Sequence, residues 1–225
     1  MALAIDHLVV AAPDLESGAA HVARTLGVAP AAGGAHPRMG THNRLLGMAG
    51  GIYLEVIAID PDAPPPQRPR WFGLDSAAMR ARLREGPFLA HWVARADAQA
   101  GLSEWQARHP DRLAPVIPMT RGELRWRLTV PDDGSLPAWA QDGRAAGDGV
   151  FPTLIQWDVR PTPADTLPRA PLSLRRLRAG HPDAALLRAG LDWLGGAGLI
   201  ELETADGPPW LAAQIETPGG VKTLR

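Results

Sequence analysis

The sequence predicts an α+β fold built from two βαβββ modules and a partial third. Three observations carry that expectation. Short apolar runs rich in Val and Ile alternate with one helical stretch per repeat. The order of elements over the first sixty residues starts again after a proline-rich stretch near residue 61. The 24 glycines and 23 prolines fall between the periodic segments, where they act as turns and not as low-complexity sequence.

Residues 3–11 read as the first strand, with Pro13 and Asp14 ending it and capping a helix. In "LESGAAHVARTLGV", Leu15, Ala19, Val22, Ala23 and Leu26 recur at helical spacing, and Gly27 supplies the C-cap. "AHPRMGTHNRLLGMAGGIYLEVIAID" holds three further strands, with Ala49–Gly51 as the turn between the last two. "PDAPPPQRP", Pro61 to Pro69, reads as a stiff linker, since proline can enter neither a ladder nor a helix interior.

After the linker, "FLAHWVARADAQAGLSEWQARHP" repeats the opening layout: a strand with a central histidine, small residues, an Asp, then an amphipathic helix. "RLAPVIPMT" and "ELRWRLTV" continue this unit, which crosses a polar loop at about 131–150 and ends in "TLIQWDV". The remainder fits the pattern more loosely, with "LSLRRLRAG" as strand, "DAALLRAGLDWLG" as helix, and "GLIELETAD" with "WLAAQIETPGG" as a terminal hairpin. The expected division is 1–60 and 88–160 for the modules, 61–87 for the linker, and 161–225 for a C-terminal partial module packed on the pair.

Composition narrows the function. A formal net charge of −1 and scattered arginines give no basic face for nucleic acid. The chain lacks cysteine, which removes disulfides, thiolate ligands and a thiol nucleophile. The start lacks a signal-peptide pattern, and no apolar run approaches the ~18 residues of a membrane span. The expectation is a cytoplasmic protein with a small-molecule substrate, no nucleic-acid or membrane partner, and a homodimer as one possible assembly. Walker, GxGxxG, GxSxG and HExxH patterns are absent, so nucleotide-dependent transfer, serine hydrolysis and zinc-protease chemistry lack support.

Four apolar strands each carry one polar side chain: His7 in "DHLVV", Glu55 in "YLEV", His91 in "AHWV" and Gln156 in "LIQW". A mid-strand carboxylate is costly to bury without a cation or strong donors, so Glu55 needs a partner. Two imidazoles and a carboxylate suit Zn, Fe, Mn, Ni or Co. Each residue alone also fits hydrogen bonding within a core, or for Glu55 an ion pair with Arg44 or Arg127. Their recurrence in the first and last strands of both units favours one shared site. His42 and Asn43 flank the same cleft in this reading, as a proton-transfer group and an orienting amide, with a simple turn as the other reading. His36 is expected in a loop, and Trp92 and Trp157 on the face opposite the ligands.

The duplicated layout and these motifs resemble the vicinal oxygen chelate superfamily, which includes glyoxalase I, extradiol dioxygenases and fosfomycin-resistance proteins. "GTHNRLL" followed by "YLEVIAID" resembles its glyoxalase-like domain branch, and the match covers residues 3 to 160. The resemblance implies an open, curved mixed sheet, a half-barrel, with a divalent metal ion in its cleft held by His7, Glu55, His91 and Gln156. It implies a lyase or isomerase that stabilises an enolate or oxyanion of a small substrate with vicinal oxygens. An Fe(II) dioxygenase and a metal-free small-molecule binding protein are the alternatives. The fourth position departs from glyoxalase I relatives, which commonly carry Glu there as a base; an amide cannot take a proton.

Overall fold

The first module runs β1 (Ala2–Ala11), α1 (Leu15–Leu26), β2 (Ala31–His36), β3 (Thr41–Gly47) and β4 (Tyr53–Ile59) in the computed structural model, which describes residues 2–97, 101–139 and 146–225. The caps of α1 are those expected. The Asp14 carboxylate accepts from the Ser17 N–H, and Gly27 takes the left-handed conformation at φ 78°. A 3-10 turn at Trp71–Gly73 and α2 (Ala77–Leu83) come next. The second module comprises β5 (Phe88–Asp97), α3 (Leu102–Arg108), β6 (Val116–Arg121), β7 (Leu124–Thr129) and β8 (Thr153–Trp157). α4 (Pro163–Thr166) leads to β9 (Ser173–His181), α5 (Ala184–Leu194), β10 (Glu201–Thr204), β11 (Trp210–Thr217) and β12 (Gly220–Leu224).

Eight strands form one curved mixed sheet in the order β2-β3-β4-β1-β5-β8-β7-β6. Each module pairs its first and last strand in parallel, β1 with β4 and β5 with β8, and the two modules join through antiparallel β1 and β5. That pseudo-two-fold order is the α+β architecture the repeat predicted. The edge strands β2 and β6 approach each other, and Arg38 Nη1 donates to the Pro118 carbonyl at 2.8 Å across the seam.

The two faces of the sheet build two cores. Val9, Ile57, Val93, Trp126 and Ile155 pack inside the curl with Trp71 and Phe72. Leu8, Val56, Trp92 and Leu154 face outward, in one buried cluster with Leu187 and Leu191 of α5 and Ala213 and Ile215 of β11. Burial on both faces explains why β4 reads as a continuous apolar run with no alternation.

Two expectations change. The linker does more than space the modules, because Trp71, Phe72, Met79 and Leu83 plug the inner core. The terminal hairpin is β11 with β12, and β10 pairs in parallel with β9. α5 crosses between β9 and β10, which forces that parallel pairing, so β9 becomes central in the order β10-β9-β11-β12. The polar loop at 131–150 lies partly outside the described residues; within them Trp139 and Val150 are buried. Among the described residues no helix is long and apolar enough to cross a membrane.

Candidate functional site

The β1–β5 register pairs Ile5 with Ala94 and then His7 with Val93, leaving Asp6 unpaired in a bulge. An extra residue re-aims side chains. Here it sets the Asp6 carboxylate beside the His7 ring, Oδ1 to Nδ1 at 2.8 Å. Asp6 is 1% exposed, and it also accepts from Trp157 Nε1 at 3.0 Å and Arg95 Nη1 at 3.2 Å. Burial pushes its carboxyl up, but the hydrogen bonds from His7 and the Trp157 indole, with the Arg95 guanidinium, outweigh that and hold it below the usual aspartate range. An ionised Asp6 accepts only, so His7 Nδ1 carries the proton it donates and Nε2 is the exchangeable end.

That end faces the inner chamber. His7 Nε2 lies 3.6 Å from Glu55 Oε2, and the ring stacks on Tyr53 with centroids 4.6 Å apart. Burial, and then the charges of Asp6 and Glu55, push the Tyr53 phenol well above its ordinary range, so it stays neutral. Glu55 Oε1 accepts from Asn43 Nδ2 at 2.6 Å. Asn43 Oδ1 in turn accepts from the Gly34 N–H at 2.9 Å and from Arg121 Nη1 at 3.1 Å. His36 completes the cluster, with Nδ1 3.1 Å from the Thr41 hydroxyl and Nε2 3.4 Å from both Asn43 Nδ2 and Arg121 Nη1. A cavity of about 30 Å³ remains, walled by Trp71, Phe72, Trp126 and Trp157.

The expected quartet does not converge. His7 and Glu55 meet, while His91 and Gln156 are engaged elsewhere. His91 lies on the inner face, since it registers with Val9 in the same core as Val93, but it is fully buried and both ring nitrogens are bonded. Its Nδ1 donates to the Gly149 carbonyl at 3.1 Å, and Nε2 accepts from the Thr153 N–H at 3.1 Å beside the Thr153 hydroxyl at 3.0 Å. Gly149 permits this approach: its φ is +88°, and a Cβ there would sit 2.2 Å from the Ala90 carbonyl. Gln156 points outward, where its Oε1 accepts the Leu102 N–H at the start of α3. The inward positions of β8 are Thr153, Ile155 and Trp157, so Trp157 and not Gln156 reaches the site.

Of the two proposed catalytic residues, Asn43 sits in the cluster and His42 does not. Adjacent strand residues face opposite ways, and His42 Nδ1 is 3.8 Å from Asp60 on the outer side. Sequence reasoning missed Asp6, His36, Tyr53 and Arg121. Among the described residues no group of three or more His, Asp or Glu is arranged to hold a metal ion. The donor set that the resemblance implies therefore does not fit one as these residues stand.

Two consequences are measurable. A Cβ on Gly33 would lie 2.1 Å from Asn43 Oδ1 and 2.6 Å from its carbonyl. Gly33→Ala must therefore displace Asn43 or the β2 bulge, and a denaturant melt should show a loss of about 1–3 kcal/mol. Burial lowers His91 to about 3 and His36 to about 4, the latter opposed by Glu55 and reinforced by Arg121. An unfolded histidine titrates near 6.5. Between about pH 6.5 and 4 the unfolded chain thus binds two protons that the folded chain refuses. This contribution is complete above pH 6.5 and is lost as the pH falls, by up to about 1.4 kcal/mol per pH unit for each histidine. Unfolding titrations at pH 7, 6 and 5 read it directly.

Residues 5–195 match the model of a known family described as a glyoxalase-like domain. No curated protein matches the chain. Among solved structures, a hypothetical protein from Staphylococcus aureus is similar with a TM-score of 0.59 at 13% identity, over 99% of this chain and 84% of that one. Methylmalonyl-CoA epimerase from Mycobacterium tuberculosis is similar at 0.43 and 15% identity, over 70% and 88%. A single-site variant of Streptomyces coelicolor methylmalonyl-CoA epimerase, with bound 2-nitronate-propionyl-CoA, gives 0.41 and 18%, over 71% and 97%. The first shows a shared fold; the other two are too distant to bear on chemistry.

Proposed function

The chain belongs to the glyoxalase-like domain family, a branch of the vicinal oxygen chelate superfamily, and from that premise we propose a lyase- or isomerase-type enzyme that moves a proton on a small substrate with vicinal oxygens. The observation that carries this reading is the Asp6–His7 pair: a base oriented by a buried carboxylate, its second nitrogen facing the chamber beside Glu55.

In the proposed step, His7 Nε2 takes a proton from a carbon beside a carbonyl. The electron pair of the broken C–H bond moves into the carbonyl and leaves an enolate oxygen. Asp6 stabilises the imidazolium that forms, as an acceptor already in place. Aromatic rings wall the chamber, and in so apolar a setting each polar contact is stronger than in bulk water. Return of the proton at the same or the neighbouring carbon gives an isomer, and departure of a group from the next carbon gives a lyase product. The divalent ion expected from the resemblance, whether zinc, nickel, manganese, cobalt or iron, has its donors divided between this chamber and structural bonds, and the proton transfer uses this chain's own residues.

The test is deuterium uptake from D2O, followed by proton NMR, with pyruvate and hydroxyacetone as carbon acids bearing two adjacent oxygens. Enzyme-dependent exchange supports the reading. A second reading, a small-molecule binding protein, draws on the chamber's polar groups, which are hydrogen-bonded to one another through Asn43. It predicts saturable binding of the same compounds without exchange.

A further inference from the structure

The geometry points to Arg121 as a carboxylate-binding residue of this chamber, making the substrate a small 2-oxo or 2-hydroxy acid. The inference rests on the proton-transfer reading for its choice of substrate, though not for its binding test.

Arg121 ends β6, an edge strand of the curved sheet, and reaches across the seam to the first module. Gly34 makes room for it: a Cβ there would lie 3.0 Å from Arg121 Cδ. Other arginines of the chain meet acids, as Arg70 does Asp75 and Arg95 does Asp6. Among the described residues the hydrogen bonds of Arg121 go to the Asn43 amide oxygen and to His36 Nε2, both from one nitrogen, Nη1. A guanidinium has five N–H donors in a planar fork that suits a carboxylate. A cation at a half-buried cavity wall, held by neutral partners and with its other donors free of ion pairs among the described residues, is poised for an anionic guest.

The same contacts fix where that guest would lie. Arg121 Nη1, Asn43 and Glu55 Oε1 form one hydrogen-bonded chain, and Glu55 adjoins His7 Nε2. A carboxylate on Arg121 would thus hold the neighbouring carbon on the His7 side of the chamber. Asn43 acts here as a positioning residue, joining the anion-binding end to the base end.

Calorimetric titration with oxalate, a dianion with vicinal oxygens, tests this without turnover. The wild-type chain should bind it, and Arg121→Gln should weaken binding on the order of 10- to 100-fold. Exchange of pyruvate should show a raised KM with kcat little changed, a loss well beyond any change in the exchange of hydroxyacetone, which has no carboxylate for the fork to hold. Should Arg121→Gln fail to fold, Arg121→Lys decides, because it keeps the charge and loses the fork; it should weaken oxalate binding by a larger factor than it slows hydroxyacetone exchange. Absence of oxalate binding by the wild type, an unchanged affinity in the variants, or equal losses for charged and neutral compounds would overturn the assignment, the last marking a role in holding the seam. Arg121-dependent oxalate binding without any deuterium exchange would support the anion site and sink the proposed reaction. Exchange that ignores Arg121 would do the reverse.

Discussion

His91→Ala is expected to destabilise the fold by about 3–5 kcal/mol, the range for deleting a large buried side chain and orphaning its partners. The ring is fully buried, and it joins β5 to β8 and to the turn at Gly149. Its removal leaves the Gly149 carbonyl and the Thr153 amide without these bonds, next to a hole bounded by Phe72, whose ring lies 5.3 Å from that of His91. Since whole domains are stable by only about 5–15 kcal/mol, a loss of this size shows in any denaturant midpoint. Divalent-ion uptake, measured on the same samples, should not distinguish the variant from wild type. A stable His91→Ala chain that has lost metal uptake would instead make His91 a ligand.

His7→Gln is the second large effect, this time on rate. The variant keeps a donor for Asp6 but has no nitrogen that can take a proton, so exchange into pyruvate should fall about 10²- to 10⁴-fold. Asp6→Asn should also slow exchange, because an amide can offer its N–H groups to His7 Nδ1 and favour the other tautomer. Combining the two should cost little beyond His7→Gln alone, as for groups that act as a unit. Normal exchange in His7→Gln would remove the base from the account.

How much of this was legible in the sequence depends on the residue. The module order comes from period and punctuation, Glu55's need of a partner from the cost of a carboxylate in an apolar strand, and its placing with His7 from the recurrence of a polar residue in the first and last strands. The phase of β8 was not legible: Leu154 and Ile155 are both apolar because the strand is buried on both faces, so alternation could not tell Gln156 from Trp157. Histidine chemistry alone is the same for a ligand and for a bonded core ring, and His91 is bonded at both nitrogens. Asp6 depends on a bulge, which a single strand sequence does not announce. "AAGGAH" reads as a loop, yet its glycines are there for close approach, of Asn43 at Gly33 and of Arg121 at Gly34, and not for a turn. Arg121 meets Asn43 across 78 positions of chain, a contact that only closure of the seam creates.

The tautomer of His7 can be read from long-range proton–nitrogen NMR of uniformly labelled protein, with His7→Gln identifying the resonances. A carboxylate-oriented base requires the ring proton on Nδ1, toward Asp6, and an Nε2 signal that moves when oxalate enters the chamber. A proton resident on Nε2 with Nδ1 bare would contradict it, because the nitrogen facing the substrate would then have no lone pair to offer.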